Sequence, residues 1–562
     1  MFEYIKKFLS TNTAFLIIVI IVVFSLYQKA INYELLQLDD MEIISSNISY
    51  ISEIKNIPNF FLQDVFFNNK FKYYRPILPL SFSLETIIFG YHPQVYHTSN
   101  ILLFIISFYL IYFFCLKLQL NKNISKFFCL LFLVHPIFTS LAVWVSARND
   151  SLLLIFVLLS FINFINYITL NKNKYLIYTI FSFLLALFTK ETSVISLLFY
   201  FMLVYCFNYK ISKQQIYKLL FGIFLSLTIY FVLRTIAVSS VKFSDISVIY
   251  KNIITTTLSY LLIYTEKFIL CEYIPVLTYN TQITKTMLCI NISLSVMVIY
   301  CYIKNIIDRK KILFCFLWYI CLLFPTFINK EQQILFHRLL LPSVSIIIFL
   351  VLFTQYIVKK YPISKKYLIT AFVLLFISLS YASILQKEKY KTSQDFIINC
   401  HLDSKNRISD SQFINFLIDI GNLKEAKSLL KERMRQQSTI KDTLTYAKIL
   451  FFEGNIDEAK NIYLKLEKAL PNESKVYFGL SIIYFAKRNY DKSEEYIQKA
   501  YSLNKHDTYT LCQIGLIYLA KEEYQKSLDI YENLLKLDKD NQDYIDKIKE
   551  LKEKLQTKET KK

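Results

Sequence analysis

The chain has 562 residues, 54% hydrophobic and 17% aromatic, with a net charge of +21. Apolar residues in that proportion, gathered in long uncharged runs, exclude an ordinary soluble enzyme and point to a protein that crosses a membrane many times. The ten cysteines form no CxxC pair and the histidines no HExxH, so neither a disulfide framework nor a His/Cys metal site is expected; the basic excess lacks the interleaved Arg and aromatic pattern of nucleic-acid binders, so nucleic acid is not an expected partner.

No charge interrupts the sequence between Lys7 and Lys29, enough to cross a hydrocarbon core of about 30 Å at roughly 1.5 Å per residue. No small-x-small cleavage site follows, so the run reads as a retained anchor. Directly after it comes LLQLDDMEIISSNISY, with adjacent carboxylates at Asp39 and Asp40. By spacing alone, Asp39 reads as the cap of a helix beginning near Met41.

Further spans are predicted at 95–116, 127–145, 151–169, 175–189, 192–208, 216–236, 286–303, 312–328, 340–358 and 367–385, about eleven in all. Alternating sides along them collects one set of short, densely basic loops: Lys6 and Lys7, then Lys117 to Lys126, Lys172 and Lys174, Lys210 to Lys218, Lys304 to Lys311 and Lys359 to Lys366. The positive-inside rule makes that side cytoplasmic. The opposite side receives the longer loops 30–94 and 237–285, and everything after about 386. The apolar segment 253–270 would move the basic loop at 304–311 across the membrane if it spanned, so it reads as an interfacial or re-entrant helix. The membrane part therefore occupies 1–386, followed by a linker at 387–408.

From about 409 to 562 the pattern becomes amphipathic and repeats. Ala447, Ser481 and Gly515 recur at intervals of 34, as do Ala459, Ser493 and Ser527. Small residues at that period, with Tyr484 and Tyr518 at an aromatic position and Pro471 closing a unit, form the tetratricopeptide pattern of paired helices. A degenerate unit around Gly421 to Ala426 and a last helix at 541–558 complete roughly four repeats. The fold class expected is all-α: a polytopic membrane domain followed by an α-solenoid.

Polar residues gather on the non-cytoplasmic side in LDD (38–40), YYRPILPLSFSLETIIFG (73–90), YHTSN (96–100), HPIFTSLAVWVSARND (135–150), LFTKET (187–192) and FHRLLLPS (336–343). Facing lipid they would be costly, so together they suggest a site. Arg75, Arg148 and Arg338 suit an anionic phosphate, because the planar guanidinium fork keeps its charge and binds two oxygens. Lys190 is a point-charge alternative, and His97, His135 and His337 are candidate hydrogen-bonding groups. The competing assignments are structural: snorkelling cations, histidines at helix ends, Arg148 paired with Asp150, and Lys190 paired with Glu191.

This ordered set of motifs, followed by tetratricopeptide repeats, resembles the transmembrane-and-TPR-containing O-mannosyltransferases and their bacterial relatives, within the GT-C superfamily of glycosyltransferases. The resemblance implies a GT-C-type membrane domain, a polyprenyl-phosphate-linked sugar donor (mannose in the named family), and an active site at the external or lumenal face. It also implies a Ser or Thr hydroxyl on an acceptor polypeptide recruited by the repeats. Carried onto this chain, Asp39 is the expected general base, with Asp40 positioning the acceptor or a divalent metal; the reverse assignment stays open. A hydroxyl attacking an anomeric carbon must lose its proton, and a positioned carboxylate accepts it. One departure is that His337 precedes Arg338 where relatives often carry Glu. A lipid or glycan acceptor, and a non-enzymatic scaffold that displays its repeats, are the alternative functions; a transporter fits less well, because the charges cluster at one face.

Overall fold

The computed structural model describes residues 11–37, 39–67, 73–238, 253–271, 273–276, 284–327, 334–361, 365–403, 407–436, 438–505, 507–537 and 541–559. The basic pair at Lys6 and Lys7 lies outside them, as do most of the loops at 239–252 and 277–283. Among the described residues the chain is all-α, and it divides into two compact units.

The first unit comprises Met1–Asp40, Ile57–Phe82 and Pro93–Ser404. Its main helices are α1 (Asn12–Tyr27), α2 (Ile77–Phe89, of which 77–82 belong to this unit), α3 (Pro93–Lys117), α4 (Lys122–Leu133), α5 (Arg148–Leu170), α6 (Asn173–Thr189), α7 (Leu197–Cys206), α8 (Lys213–Ala237), α9 (Ile253–Leu270), α10 (Lys285–Ile303), α11 (Arg309–Leu323), α12 (Leu340–Lys360), α13 (Lys365–Glu388) and α14 (Ser393–Asp403). Polar caps fix several starts: Thr11 accepts from the Ala14 amide, Asn121 from those of Asn123 and Ile124, and Ser212 forms a capping box with Gln215. Helix α5 stops at Asn171, which takes the left-handed conformation at φ 49° and ends the ladder there.

Among the described residues, seven helices are long and apolar enough to cross a membrane, and eight if α4 and Pro136–Val143 count as one span bent by 62°. The bend follows from Pro136, whose ring removes an amide donor and breaks the helix. The remaining three of the eleven expected segments form shorter helices. Helix α6 has 17 residues, about 26 Å at 1.5 Å per residue, and α7 and α11 are shorter still. These short helices nonetheless run alongside the long ones. Helix α6 folds back antiparallel on α5, where the Ser160 hydroxyl donates to the Thr179 carbonyl at 2.6 Å. Tyr209, just past α7, donates to the Lys117 carbonyl at the end of α3 at 2.7 Å. The segment 253–270 forms α9, which is not among the seven.

Aromatic packing joins these helices. Trp318 of α11 is fully buried between Phe114, Phe161, Phe199 and Phe314, with ring centroids 4.8–6.1 Å away. Its indole N–H donates to the Leu341 carbonyl at 2.9 Å, so the ring is buried without an unpaired polar group.

The second unit contains Met41–Asn56, Ser83–His92 and Lys405–Lys562. From residue 407 it is built of helix pairs: Arg407–Asp419 with Leu423–Gln436, Ile440–Phe452 with Ile456–Ala469, Ser474–Ala486 with Tyr490–Leu503, and Thr508–Ala520 with Tyr524–Leu537, then Gln542–Glu559. The small residues at period 34 lie where paired helices approach closest. Ser481 and Ser493, both fully buried, each donate to the other's carbonyl at 2.8–2.9 Å, and Ser527 donates to the Gly515 carbonyl at 2.8 Å. A Cβ at Gly479 would stand 2.4 Å from the Tyr463 ring, so that glycine is required by the neighbouring tyrosine.

Candidate active site

Polar motifs spread over residues 38–343 meet at the start of α5. The run Val145–Ala147 is a 3-10 turn leading into the helix, and its alternating polar residues reach three different partners. Ser146 reaches the segment after α1, Arg148 reaches α2 and α3, and Asp150 reaches the end of α6.

Asp40 is fully buried. One carboxylate oxygen accepts from the Ser146 amide at 2.8 Å and from the Ser146 hydroxyl, while the other accepts from the Leu36 amide at 3.1 Å. Burial pushes its carboxyl up to about 6, against the opposing effect of the Ser146 and Leu36 hydrogen bonds and of the Arg148 charge. Asp39, its neighbour, is exposed in the first turn of the short helix Asp39–Ile43. The two carboxylates are thus unlike: one is held inside, and the other is exposed.

Arg148 is completely buried, and all three of its nitrogens donate: Nε to Asn100 Oδ1 at 2.7 Å, Nη1 to Ser81 Oγ at 3.2 Å and Nη2 to the Tyr96 carbonyl at 2.9 Å. Its guanidinium also lies over the Phe82 ring at 4.4 Å. Asn100 in turn donates to the carbonyls of Trp144 and Val145. This arginine ties three helices together, and its geometry is that of a structural cross-link.

Asp150 accepts from Lys190 Nζ at 2.8 Å, and His337 Nε2 lies 3.7 Å from its other oxygen. Arg75 and Glu191 form a two-pronged pair, with Nη2 to Oε1 at 2.9 Å and Nε to Oε2 at 3.3 Å. The sequence-level pairings of Arg148 with Asp150 and of Lys190 with Glu191 are therefore corrected. Positions two apart on a helix point to different sides. Lys190 is extended, at φ −158° and ψ 132°, so it and Glu191 project in opposite directions.

Arg338 is part-exposed, and its guanidinium has no hydrogen bond or ion pair to another described residue. It lies within range of Tyr260 and Tyr264 of α9 and of Asp150. The cations of this end are thus unequal: Arg75 and Lys190 are each matched by a carboxylate, Arg148 is spent on internal hydrogen bonds, and the Arg338 guanidinium has no such partner among the described residues.

The histidines divide in the same way. His135 uses both ring nitrogens, Nδ1 accepting from the Ile137 amide at 3.2 Å and Nε2 donating to the Phe268 carbonyl at 2.8 Å, with its ring stacked on Phe268. His97 donates from Nε2 to the Glu34 carbonyl at 3.4 Å, and its buried Nδ1 has no hydrogen-bond partner among the described residues. His337 packs edge-on against Trp144, centroids 5.5 Å apart. No group of three His, Cys, Asp or Glu side chains suited to a metal ion occurs among the described residues, and both Asp40 oxygens already accept hydrogen bonds.

Sequence reasoning missed Ser146, Ser81, Asn100 and the two α9 tyrosines as partners of the site. Ser146, Ser81 and Asn100 stand inside quoted motifs, but a serine or asparagine near a helix end carries no signal of its own until the acceptor is known.

A tetratricopeptide repeat model matches residues 474–507 and 508–541. Among curated relatives, protein O-mannosyl-transferase TMTC1 of Homo sapiens is 32% identical over 98 residues, which is 17% of this chain and 11% of that protein. The protein of the same name from Mus musculus is 31% identical over 94 residues, 16% of this chain and 10% of that protein. The matched stretch spans about a tenth of the length of these relatives.

Proposed function

We propose that this chain is a membrane glycosyltransferase that moves a sugar, with mannose the first candidate, from a polyprenyl phosphate to a protein Ser or Thr hydroxyl. The partial similarity to protein O-mannosyl-transferases and the tetratricopeptide repeats support the class. The observation that carries the reading is the inequality within the polar cluster. It offers an exposed carboxylate, Asp39, and an arginine, Arg338, whose guanidinium has no hydrogen-bond or ion-pair partner among the described residues, beside cations that are each matched by a carboxylate or by internal hydrogen bonds.

In the reaction, the Asp39 carboxylate takes the proton from the acceptor hydroxyl as its oxygen attacks the anomeric carbon. The bond from that carbon to the phosphate oxygen breaks, and the lipid phosphate leaves with added negative charge, which Arg338 binds in fork geometry. Asp40, fixed by Ser146 and Leu36, holds the loop that presents Asp39. Tetratricopeptide repeats form peptide-binding surfaces, and here they recruit the acceptor.

The basic loops and the site lie at opposite ends of the helices, which supports a cytoplasmic N-terminus and a site on the periplasmic or lumenal side. Ser393, near the end of the membrane-spanning unit, bonds to Glu34 and Leu35 at the site end, which supports the repeats lying in the same compartment. The test is transfer from a labelled polyprenyl-phosphate sugar in membranes containing wild type or Asp39→Asn. Loss of transfer at unchanged expression is expected; wild-type rates in the variant would remove Asp39 from the mechanism.

A further inference from the structure

The segment expected as a linker, 387–408, contains α14, and this helix is fastened to the membrane-spanning unit at both ends. At its start, the Ser393 amide donates to Glu34 Oε2 at 2.9 Å and the Ser393 hydroxyl to the Leu35 carbonyl at 3.0 Å. The Glu34 amide donates to the Lys391 carbonyl at 3.3 Å, and Tyr33 to Glu388 at the same distance. At its end, Asp403 accepts from the Val276 amide at 2.5 Å and from the Tyr273 hydroxyl. Lys389, just before α14, donates to the Ile274 carbonyl at 2.9 Å with its ammonium over the Tyr273 ring. Between these ends Phe396, Ile397 and Cys400 are buried.

Both attachments lead to the candidate site. Residues 34 and 35 immediately precede Leu36, whose amide holds Asp40. Phe396 packs on Trp144 with centroids 5.6 Å apart, and Trp144 packs in turn on His337. A flexible tether needs none of this: ordering an eleven-residue helix costs conformational entropy that its buried face and its end contacts offset.

We propose that α14 is a positioning element of the transfer site, with Glu34 and Ser393 as the residues that set the Asp39/Asp40 loop. Glu34 acts through the backbone and not on the substrate, so it is a positioning residue. The inference rests on the glycosyltransferase reading for its catalytic consequence, while the fastening itself can be read without substrate.

The experiment compares wild type, Glu34→Ala and Glu34→Gln in the full chain. Glu34 is exposed, so its removal is not expected to unfold the membrane unit, and Gln keeps an oxygen that accepts from the Ser393 amide. Amide hydrogen exchange of peptides covering 33–40 should speed up in Glu34→Ala and return toward wild type in Glu34→Gln, with α5 and α6 peptides unchanged. Turnover of labelled polyprenyl-phosphate sugar should fall by about tenfold or more in Glu34→Ala, with the donor KM within about twofold and recovery in Glu34→Gln. Unchanged exchange in 33–40 overturns the positioning role whatever the activity shows. Faster exchange with unchanged turnover, or an effect confined to donor KM, overturns its catalytic consequence. A wild-type protein that transfers no sugar while exchange responds as expected instead overturns the glycosyltransferase reading.

Discussion

Ser146 donates both its amide and its hydroxyl to a single oxygen of Asp40, 106 residues earlier in the chain. This contact joins the segment after α1 to the head of α5 and takes a carboxylate out of water. Ionisation of that carboxylate is therefore linked both to folding and to the shape of the loop that carries Asp39.

The first prediction concerns pH. The Asp40 carboxyl is pushed up to about 6 by burial, above its ordinary 3.8. Folding thus favours its protonated form; the stability it contributes is present below 3.8 and lost as pH rises through about 6, by about 3 kcal/mol at most. Transfer, which depends on the Ser146-bound carboxylate, should rise over the same interval. In Asp40→Asn both slopes should vanish, read as melting temperature and transfer rate across the pH range; a variant that keeps both inflections would show that another group titrates.

The second prediction separates the two ion pairs. Asp150 and Lys190 are nearly buried, whereas Arg75 and Glu191 are 20% and 37% exposed at their side chains. Asp150→Asn strands a buried ammonium and should cost about 3–5 kcal/mol, much of it recovered in Asp150→Asn with Lys190→Met. Glu191→Gln should cost roughly 1 kcal/mol. Equal losses in thermal melts would contradict the difference in burial.

A third prediction contrasts two arginines. Arg338→Ala should lower transfer by about 10²–10³ at an unchanged melting temperature, with Lys restoring only part, since an ammonium lacks the fork. Arg148→Ala should instead lower the melting temperature, because it removes three internal hydrogen bonds at a buried site. The opposite pattern would exchange their roles.

The fourth prediction lies in the repeats. Gly479→Ala brings a methyl group against the Tyr463 ring and should destabilise the second unit by about 1–3 kcal/mol, measured as protease sensitivity of the region after residue 407. Adding Tyr463→Leu should relieve it; no effect of the glycine substitution would mean that the ring moves freely aside.

Much of this was legible in the sequence. The interval of 34 between Ala447, Ser481 and Gly515 gave the helix pairs, because small residues are needed where helices cross. The uncharged runs gave the long spans, and the polar motifs did converge at one end of the helices. What could not be read was which charge meets which. Adjacent residues suggested Lys190 with Glu191, yet an extended backbone turns neighbours apart and antiparallel α5 and α6 bring Asp150 to Lys190 instead. Asp39 and Asp40 look alike in sequence, and only the fold makes one exposed and the other buried. The role of α14 was also hidden: its start is polar, and its few buried residues are recognisable as a packed face only once Trp144 stands opposite.

The five residues from Ser146 to Asp150 cannot change length. Ser146, Arg148 and Asp150 each face a different part of the protein, and on a helix one inserted residue turns everything beyond it by about 100°. An insertion there would leave Ser146 on Asp40 while swinging Asp150 away from Lys190, splitting the site without altering a single one of its side chains. Substitutions in this stretch can be graded, but additions and deletions cannot, so any graft, tag or chimeric junction that is to preserve the site must begin upstream of Trp144 or well inside α5.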